Sequence, residues 1–113
     1  MAAFDIVVIG AGPGGYPAAI RAAQMGASVA LVEKEEMGGT CLNWGCIPTK
    51  TLIASAELLA RIKSAASMGL RVENASFDYG ALADRKDHLV AKLRDGAGVG
   101  SGGKRLRTFP AQE

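Results

Sequence analysis

The chain has 113 residues, a formal net charge of +2 and only two cysteines. This length suits one small domain with a modest core, and no apolar run is long enough to span a membrane. The apolar run near the N-terminus is too short for a signal peptide and has no basic segment before it. We therefore expect a cytoplasmic protein, in a compartment where disulfides are usually transient and catalytic.

A β-α-β unit is predicted at the start of the chain. Residues 5–9 form a short run rich in β-branched side chains, typical of a buried parallel strand. Residues 16–25 are rich in alanine and predict a helix, which Gly26 ends. Residues 27–32 predict a second strand, and Glu33 ends it.

A glycine-rich turn, residues 10–15, joins the first strand to the first helix. Gly10, Gly12 and Gly15 satisfy the pattern G-x-G-x-x-G, and this strand–turn–helix context predicts dinucleotide binding. Gly10 permits the tight turn, Gly12 lets the backbone approach a pyrophosphate, and Gly15 lets the helix pack close to the strand. Glu33 can accept hydrogen bonds from ribose hydroxyls, and its charge repels a 2′-phosphate. The alternative is a merely structural glycine turn.

Both cysteines, Cys41 and Cys46, lie in the stretch 38–50, which reads GGTCLNWGCIPTK. In a straight helix the Cα atoms of residues five apart are about 8.6 Å from each other, whereas a disulfide tolerates at most about 7 Å. A backbone that is not helical near Cys41 or Asn43 would allow a bridge, and Gly45 makes such a path inexpensive.

Other interpretations of the two cysteines stay open at this point. Free cysteines are often small buried apolar side chains, and the spacing alone does not decide against that. A zinc site is disfavoured, because it needs four ligands and the sole histidine, His88, is far away in sequence. Pro48 limits regular helix after the second cysteine. A bridge would close a very short loop, which stabilises little, so it would be chemical rather than structural.

Two further helices are predicted downstream. The first spans residues 51–66 with Gly69 after it, and residues 70–72 form a short turn or strand. The second begins after Asp78 as N-cap and runs to Arg94. Apolar side chains recur at helical spacing in both, and we interpret them as core: Leu52, Ala56, Leu59, Ile62, Leu82, Leu89 and Leu93.

The composition changes after residue 95. Residues 1–95 carry equal numbers of basic and acidic side chains, so the net charge belongs to residues 96–113. Five glycines there are followed by Lys104-Arg105-Leu106-Arg107. Because glycine at this density forms helix at a high entropic cost, we expect residues 96–113 to be a disordered tail. We further hypothesise a truncation or a lost reading frame near Val99. A solvated end is a better account of three basic residues than nucleic-acid binding.

Residues 10–15, Glu33 and the whole stretch 38–50 together resemble the pyridine-nucleotide disulfide oxidoreductases. Within this family the stretch 38–50 is most similar to the dihydrolipoyl dehydrogenases, and mercuric and glutathione reductases carry close variants. The match extends from about residue 4 to about residue 95. It implies an α/β fold, namely a partial Rossmann-type FAD-binding domain over residues 1–95, with β-α-β followed by two helices and an incomplete parallel sheet.

The resemblance implies FAD as the dinucleotide and a redox-active disulfide between Cys41 and Cys46. By position, Cys41 matches the interchange thiol that exchanges with a substrate dithiol, and Cys46 matches the charge-transfer thiol that lies against the flavin. Lys50 matches the lysine near the reactive edge of the flavin ring. We expect no metal site. The other expected cofactor-binding residues are Gly10, Gly12, Pro13, Gly14, Gly15, Glu33, Lys34, Gly38, Gly39 and Thr40.

The resemblance also implies further domains and partners in the family's full-length enzyme. There an NAD domain and a dimerisation domain follow, and the dimerisation domain supplies a His–Glu pair from the partner subunit. His88 does not match that histidine and is interpreted as part of a solvated helix face. The resemblance implies oxidation of the dihydrolipoyl group of a 2-oxo acid dehydrogenase complex with NAD⁺, by a homodimer only at full length.

The alternative to an enzyme is a non-catalytic fragment that binds FAD at most. We expect no dithiol turnover with NAD⁺ by this chain alone, because it lacks the domains that bind NAD and form the dimer. We also expect no nucleic-acid partner and no membrane association.

Overall fold

A computed structural model describes residues 3–100 and 105–111, with the backbone alone at residues 99 and 100. It contains three strands, four α-helices and one short 3₁₀ helix at Ala65–Met68. The strands are β1 (Ile6–Ile9), β2 (Val29–Glu33) and β3 (Leu106–Pro110), and the helices are α1 (Gly15–Gln24), α2 (Gly39–Asn43), α3 (Cys46–Lys63) and α4 (Tyr79–Gly100).

The three strands form one parallel sheet in the order β1-β2-β3. Val29 of β2 pairs with Ile6 on one side and with Leu106 on the other. The core lies between this sheet and α1, and it is built from Ala11, Ala19, Val29, Leu31 and Leu106. The predicted α/β fold, a partial Rossmann-type unit with an incomplete parallel sheet, is confirmed.

Strand β1 lies at one edge of the sheet, and its outer side is not paired within the described part of the chain. Its side chains are largely exposed, including Val7 at 58% and Ile9 at 86% of their accessible surface. A β-branched strand of this kind is normally covered on both faces in a parallel sheet. The sheet is therefore incomplete at this edge, where the apolar side chains of β1 are left uncovered.

Helix α1 lies close to the sheet because its residues there are small. It begins at Gly15, and the ring of Pro17 falls in the first turn, where backbone N–H groups have no helical partner in any case. Ala19 is fully buried against the sheet. Gly26 follows the helix with a φ of +102°, a conformation that favours glycine.

The expectation of a disordered tail is wrong for the described residues of 96–113. Helix α4 continues through Gly96 and Gly98 to Gly100, and β3 pairs with β2. The predicted domain limit at residue 95 therefore falls inside a helix. Leu106 retains only 3% of its accessible surface, so its burial, together with the ladder hydrogen bonds of β3, offsets the entropic cost of ordering the segment. The expected disorder of residues 101–104, which include Gly102, Gly103 and Lys104, and of residues 112–113 lies outside the described residues.

Helices α3 and α4 pack against each other and extend away from the sheet, so the molecule measures 67 × 30 × 17 Å. Helix α3 begins five residues earlier than predicted, with Pro48 in its first turn. Gly69, with a φ of +78°, follows the 3₁₀ helix, and residues 70–72 form no strand. Asp78 caps α4 as predicted, because its Oδ1 accepts from the backbone N–H of Ala81 at 3.1 Å.

An apolar cavity of about 540 Å³ separates parts of α3 and α4. Its lining includes five of the seven side chains that the sequence predicted as core, none of them buried, and two exposed aromatic residues that precede or begin α4. These lining residues include Leu52, Leu59, Ile62, Phe77, Tyr79 and Leu82.

Candidate active site

The glycine-rich turn leads from the carboxyl end of β1 into α1. Gly10 has a φ of +94°, and its N–H donates to the carbonyl of Val32 at 2.7 Å, which joins the turn to β2. A Cβ at Gly15 would overlap the carbonyl oxygen of Gly10, whereas a Cβ at Gly12 or Gly14 would meet no atom within 4 Å. The turn therefore brings α1 against β1 and leaves the face at Gly12 open for a ligand.

Glu33 at the end of β2 binds the glycine-rich turn. Its Oε2 accepts from the N–H of Ala11 at 2.6 Å, and its Oε1 accepts from the N–H of Glu35 at 2.9 Å. Partial burial raises the pKa of Glu33. The backbone N–H donors of Glu35, Ala11 and Lys34 and the charge of Lys34 lower it by more, so the pKa lies below its ordinary value of 4.5. A carboxylate has about four acceptor sites, so these contacts leave capacity for a ribose hydroxyl.

Because folding lowers the pKa of Glu33, its stabilising effect is complete above pH 4.5 and is lost as the pH falls through the lower folded-state pKa. We expect Glu33→Gln to lower the free energy of unfolding by about 1.5 kcal/mol at pH 7. The deficit should shrink steadily below pH 4.5 in urea titrations from pH 7 to pH 3. Glu57→Gln, on the exposed face of α3, is the matched control. A deficit that stays constant with pH would contradict this role of the carboxylate.

The turn before the cysteines packs directly on the glycine-rich turn. Gly38 and Gly39 have φ values of +95° and +61°. The N–H of Gly38 donates to the carbonyl of Ala11 at 2.8 Å. A Cβ at Gly39 would lie only 2.9 Å from the Cα of Gly12, so glycine is required for this close approach. The candidate dinucleotide site and the cysteine stretch are therefore adjacent.

Cys41 and Cys46 form a disulfide across an interruption between two helices. Cys41 lies in α2 and Cys46 is the first residue of α3, while Trp44 and Gly45 between them are not helical. The interruption brings the two Cα atoms to 4.7 Å, instead of the roughly 8.6 Å of a straight helix. It falls at Trp44 and Gly45, so it includes the glycine that was expected to make it inexpensive, but it lies after both expected positions, Cys41 and Asn43. Cys46 is exposed and Cys41 is half-buried.

The remaining candidate cofactor-binding residues that carry a side chain are exposed. Lys50 lies one turn after Cys46 on α3. Thr40 is exposed in α2, and the Lys34 ammonium forms a surface ion pair with Glu35 at 3.9 Å, a contact that contributes little. Pro13 is exposed in the glycine-rich turn.

His88 lies on the exposed side of α4, and nothing in the described residues connects it with the disulfide. No group of three or more histidine, cysteine or acidic side chains in residues 3–100 and 105–111 is arranged to hold a metal ion. Within the same residues, no helix combines the length and the apolar character that crossing a membrane requires.

Sequence reasoning missed Asn43, which is 9% exposed and ends α2. Its side-chain Nδ2 donates to the carbonyls of Met37 at 3.1 Å and Gly39 at 2.9 Å. The available signal was the four-residue spacing from Gly39 to Asn43, since a short amide side chain in a helix commonly bonds to the carbonyl one turn earlier.

Comparison with known proteins agrees with this arrangement. The family model of the pyridine nucleotide-disulphide oxidoreductases matches residues 4–105. The chain belongs to this family. The resemblance predicted from residues 10–15, Glu33 and 38–50 is thereby confirmed.

The relatives of this chain include dihydrolipoyl dehydrogenases from several bacteria. That of Chlamydia muridarum is 58% identical over 94 residues, covering 83% of this chain and 20% of the relative. That of Thermus scotoductus is 49% identical over 105 residues, covering 92% of this chain and 23% of the relative. The chain thus spans about a fifth of the length of these relatives.

Among solved structures, the chain is similar to a Cu(II) complex of the HOCl-induced flavoprotein disulfide reductase RclA from Escherichia coli. The TM-score is 0.78 at 30% identity, and the match covers 99% of this chain and 22% of that one. The described fold is therefore that of the corresponding part of a flavoprotein disulfide reductase.

Proposed function

We propose that this chain supplies the FAD site and the redox disulfide of a dihydrolipoyl dehydrogenase, which oxidises a dihydrolipoyl dithiol with NAD⁺. The observation that supports this most is the Cys41–Cys46 disulfide, held on a turn that packs against the glycine-rich turn. This adjacency supports the proposal, because two bonded sulfurs can accept two electrons beside a candidate dinucleotide site. The names and identities of the relatives support the same assignment.

The chemistry that this chain would perform is thiol–disulfide exchange. A substrate thiolate attacks Sγ of Cys41, a mixed disulfide forms, and Cys46 leaves as the thiolate. The second substrate thiol then attacks the substrate sulfur of that mixed disulfide and releases Cys41. The substrate gains its disulfide, and two electrons and two protons pass to the cysteine pair.

Two features of the chain favour Cys46 as the leaving thiolate. Cys46 is the first residue of α3, an 18-residue helix, whose N-terminal dipole stabilises a negative charge. Lys50 lies one turn further along the same helix and adds a positive charge nearby. A better leaving thiolate makes attack at Cys41 faster.

The residues present fit an FAD molecule in its expected orientation. The open face at Gly12, flanked by Pro13 and Gly14, and the N-terminus of α1 would hold the pyrophosphate. Glu33 and Lys34 would hold the ribose. Gly38, Gly39, Thr40 and Lys50, on the segment that carries the disulfide, would line the rest of the cofactor. Bound FAD would supply the acceptor that reoxidises the cysteine pair.

The remaining parts of the proposed reaction belong to a longer enzyme, since the chain spans about a fifth of its relatives. We propose NAD⁺ as the final acceptor, a 2-oxo acid dehydrogenase complex as the partner that carries the dihydrolipoyl group, and a homodimer at full length. A cytoplasmic location follows from the same proposal. The 113-residue chain alone would be inactive with NAD⁺.

The absorption spectrum of the chain tests this proposal. After incubation with FAD and gel filtration, we expect retained flavin, and a long-wavelength band after reduction by a dithiol. Gly12→Ala should weaken FAD binding at least about tenfold, because a methyl group intrudes where the pyrophosphate approaches. Gly96→Ala, also without a neighbour within 4 Å of the added Cβ, is the matched control.

The outcomes separate the two candidate functions. No retained flavin would refute an FAD site in this chain. Retained flavin without the band would favour a fragment that binds FAD but does not place Cys46 against it. NADH formation from NAD⁺ and dihydrolipoamide in the same preparation would contradict the proposed inactivity of the chain alone.

A further inference from the structure

Asn43 is a buried amide beside the cysteine pair. Its Nδ2 donates to the carbonyls of Met37 and Gly39, while its Oδ1 is buried and finds no partner within the described residues. Only an NH₂ group can donate to two carbonyls, so the orientation of the amide follows from its acceptors. The side chain therefore acts purely as a double donor.

The two acceptors of Asn43 lie on either side of Gly38. Met37 precedes the turn and Gly39 begins α2, so the amide closes the turn across its base. That turn is held on the glycine-rich turn through Gly38 and Ala11. Asn43 thus links the helix that carries Cys41 to the candidate dinucleotide site.

The interruption between α2 and α3 makes this link important when the disulfide is reduced. The Cα atoms of Cys41 and Cys46 are 4.7 Å apart in the disulfide form. Once the sulfur–sulfur bond accepts two electrons and two protons, no covalent bond keeps this separation. Regular helix through Trp44 and Gly45 would move the Cα atoms to roughly 8.6 Å, beyond the range of a disulfide.

We propose that Asn43 is a positioning residue that keeps Cys41 next to Cys46 in the dithiol form and thereby sets the equilibrium between dithiol and disulfide. The inference rests on the proposed function, since it takes this pair as the redox couple. Burying the Oδ1 of Asn43 without a partner costs free energy. The residue is therefore better explained by the segment that its two N–H groups hold in place than by a gain in folding stability.

Asn43→Asp tests the proposal, because it keeps the shape and replaces the two donors with an acceptor that faces two carbonyls. Without the two donor bonds α2 is no longer tied to the turn before it, so in the dithiol form Cys41 is free to move away from Cys46, and forming the disulfide must order the segment again at an entropic cost. We expect the equilibrium constant for disulfide formation in glutathione buffers to fall about tenfold. This corresponds to a reduction potential about 30 mV less negative for a two-electron couple.

Asn74→Asp is the matched control, since it makes the same chemical change at an exposed asparagine outside the site. We expect its equilibrium constant to stay within about twofold of that of the original chain. Alkylation labels the free thiols of the dithiol form only, and mass spectrometry then quantifies the dithiol and disulfide forms by their difference in mass. A merely structural role would lower the stability of both forms equally and leave the equilibrium unchanged.

The possible outcomes distinguish this inference from the proposed function. If the original cysteine pair does not exchange with glutathione, both fail. If it exchanges and Asn43→Asp matches it, this inference alone is overturned. If Asn43→Asp does not fold, Asn43→Ser decides, since its one hydroxyl donor should give a smaller shift in the same direction, and no shift would overturn the proposal.

Discussion

Cys41→Ser should abolish dithiol exchange while the flavin stays bound. Cys41 carries the sulfur that the substrate thiolate is proposed to attack, and without it no disulfide exists to be exchanged. Removing such a reacting group costs orders of magnitude, so we expect a loss of at least about 10³-fold. The measurement is anaerobic dithiol reduction, followed by flavin absorbance, in a full-length enzyme that carries this segment.

Cys46→Ser is the matched control for Cys41→Ser. It also lacks the disulfide, but it retains the thiol of Cys41, which should attack oxidised lipoamide and form a mixed disulfide that mass spectrometry detects. Cys41→Ser should form this adduct much more slowly. The assignment of the two sulfurs would be reversed by faster adduct formation at Cys46 in the Cys41→Ser variant. Loss of flavin from Cys41→Ser would place Cys41 in the cofactor site instead.

Gly15→Ala should strongly destabilise the β-α-β unit. A Cβ at this position overlaps the carbonyl oxygen of Gly10 and lies near its carbonyl carbon. Both are backbone atoms of a turn that is bonded to β2, so neither can move without displacing α1 from the sheet. We expect a loss of about 3 kcal/mol or more in the free energy of unfolding, a large share of the stability of a small domain.

Gly14→Ala provides the comparison for Gly15→Ala, because its added Cβ meets nothing within 4 Å. We expect this variant to unfold within about 0.5 kcal/mol of the original chain. Urea titration followed by circular dichroism measures both. Equal midpoints for the two variants would mean that α1 and β1 do not need the close contact at Gly15.

The elements predicted well are those whose signals are local. The strand at residues 6–9, the glycine-rich turn and the start of α4 each depend on residues within a few positions, such as the cap at Asp78. The glycine spacing of the turn also predicted the close approach at Gly15. Local propensity and steric requirements decide these features, and both are visible in the sequence.

The features that sequence analysis missed depend on contacts between distant residues. Glycine content predicted disorder after residue 95, but β3 forms because Leu106 reaches the core beside Val29, 77 positions earlier. The hydrogen bond from the Ala11 N–H to Glu33 depends on how β1 and β2 are aligned. No local pattern encodes either pairing, since burial and strand register decide them.

The open side of β1 has a consequence for biosynthesis. The strand leaves the ribosome before β2 and β3, and the described sheet grows from its other side through these two strands. Throughout that time β1 displays unpaired backbone groups beside Val7 and Ile9, a template on which another extended chain can pair. During synthesis, pairing of this edge with a second copy competes with correct folding, and any chain that covers the edge first would suppress that competition.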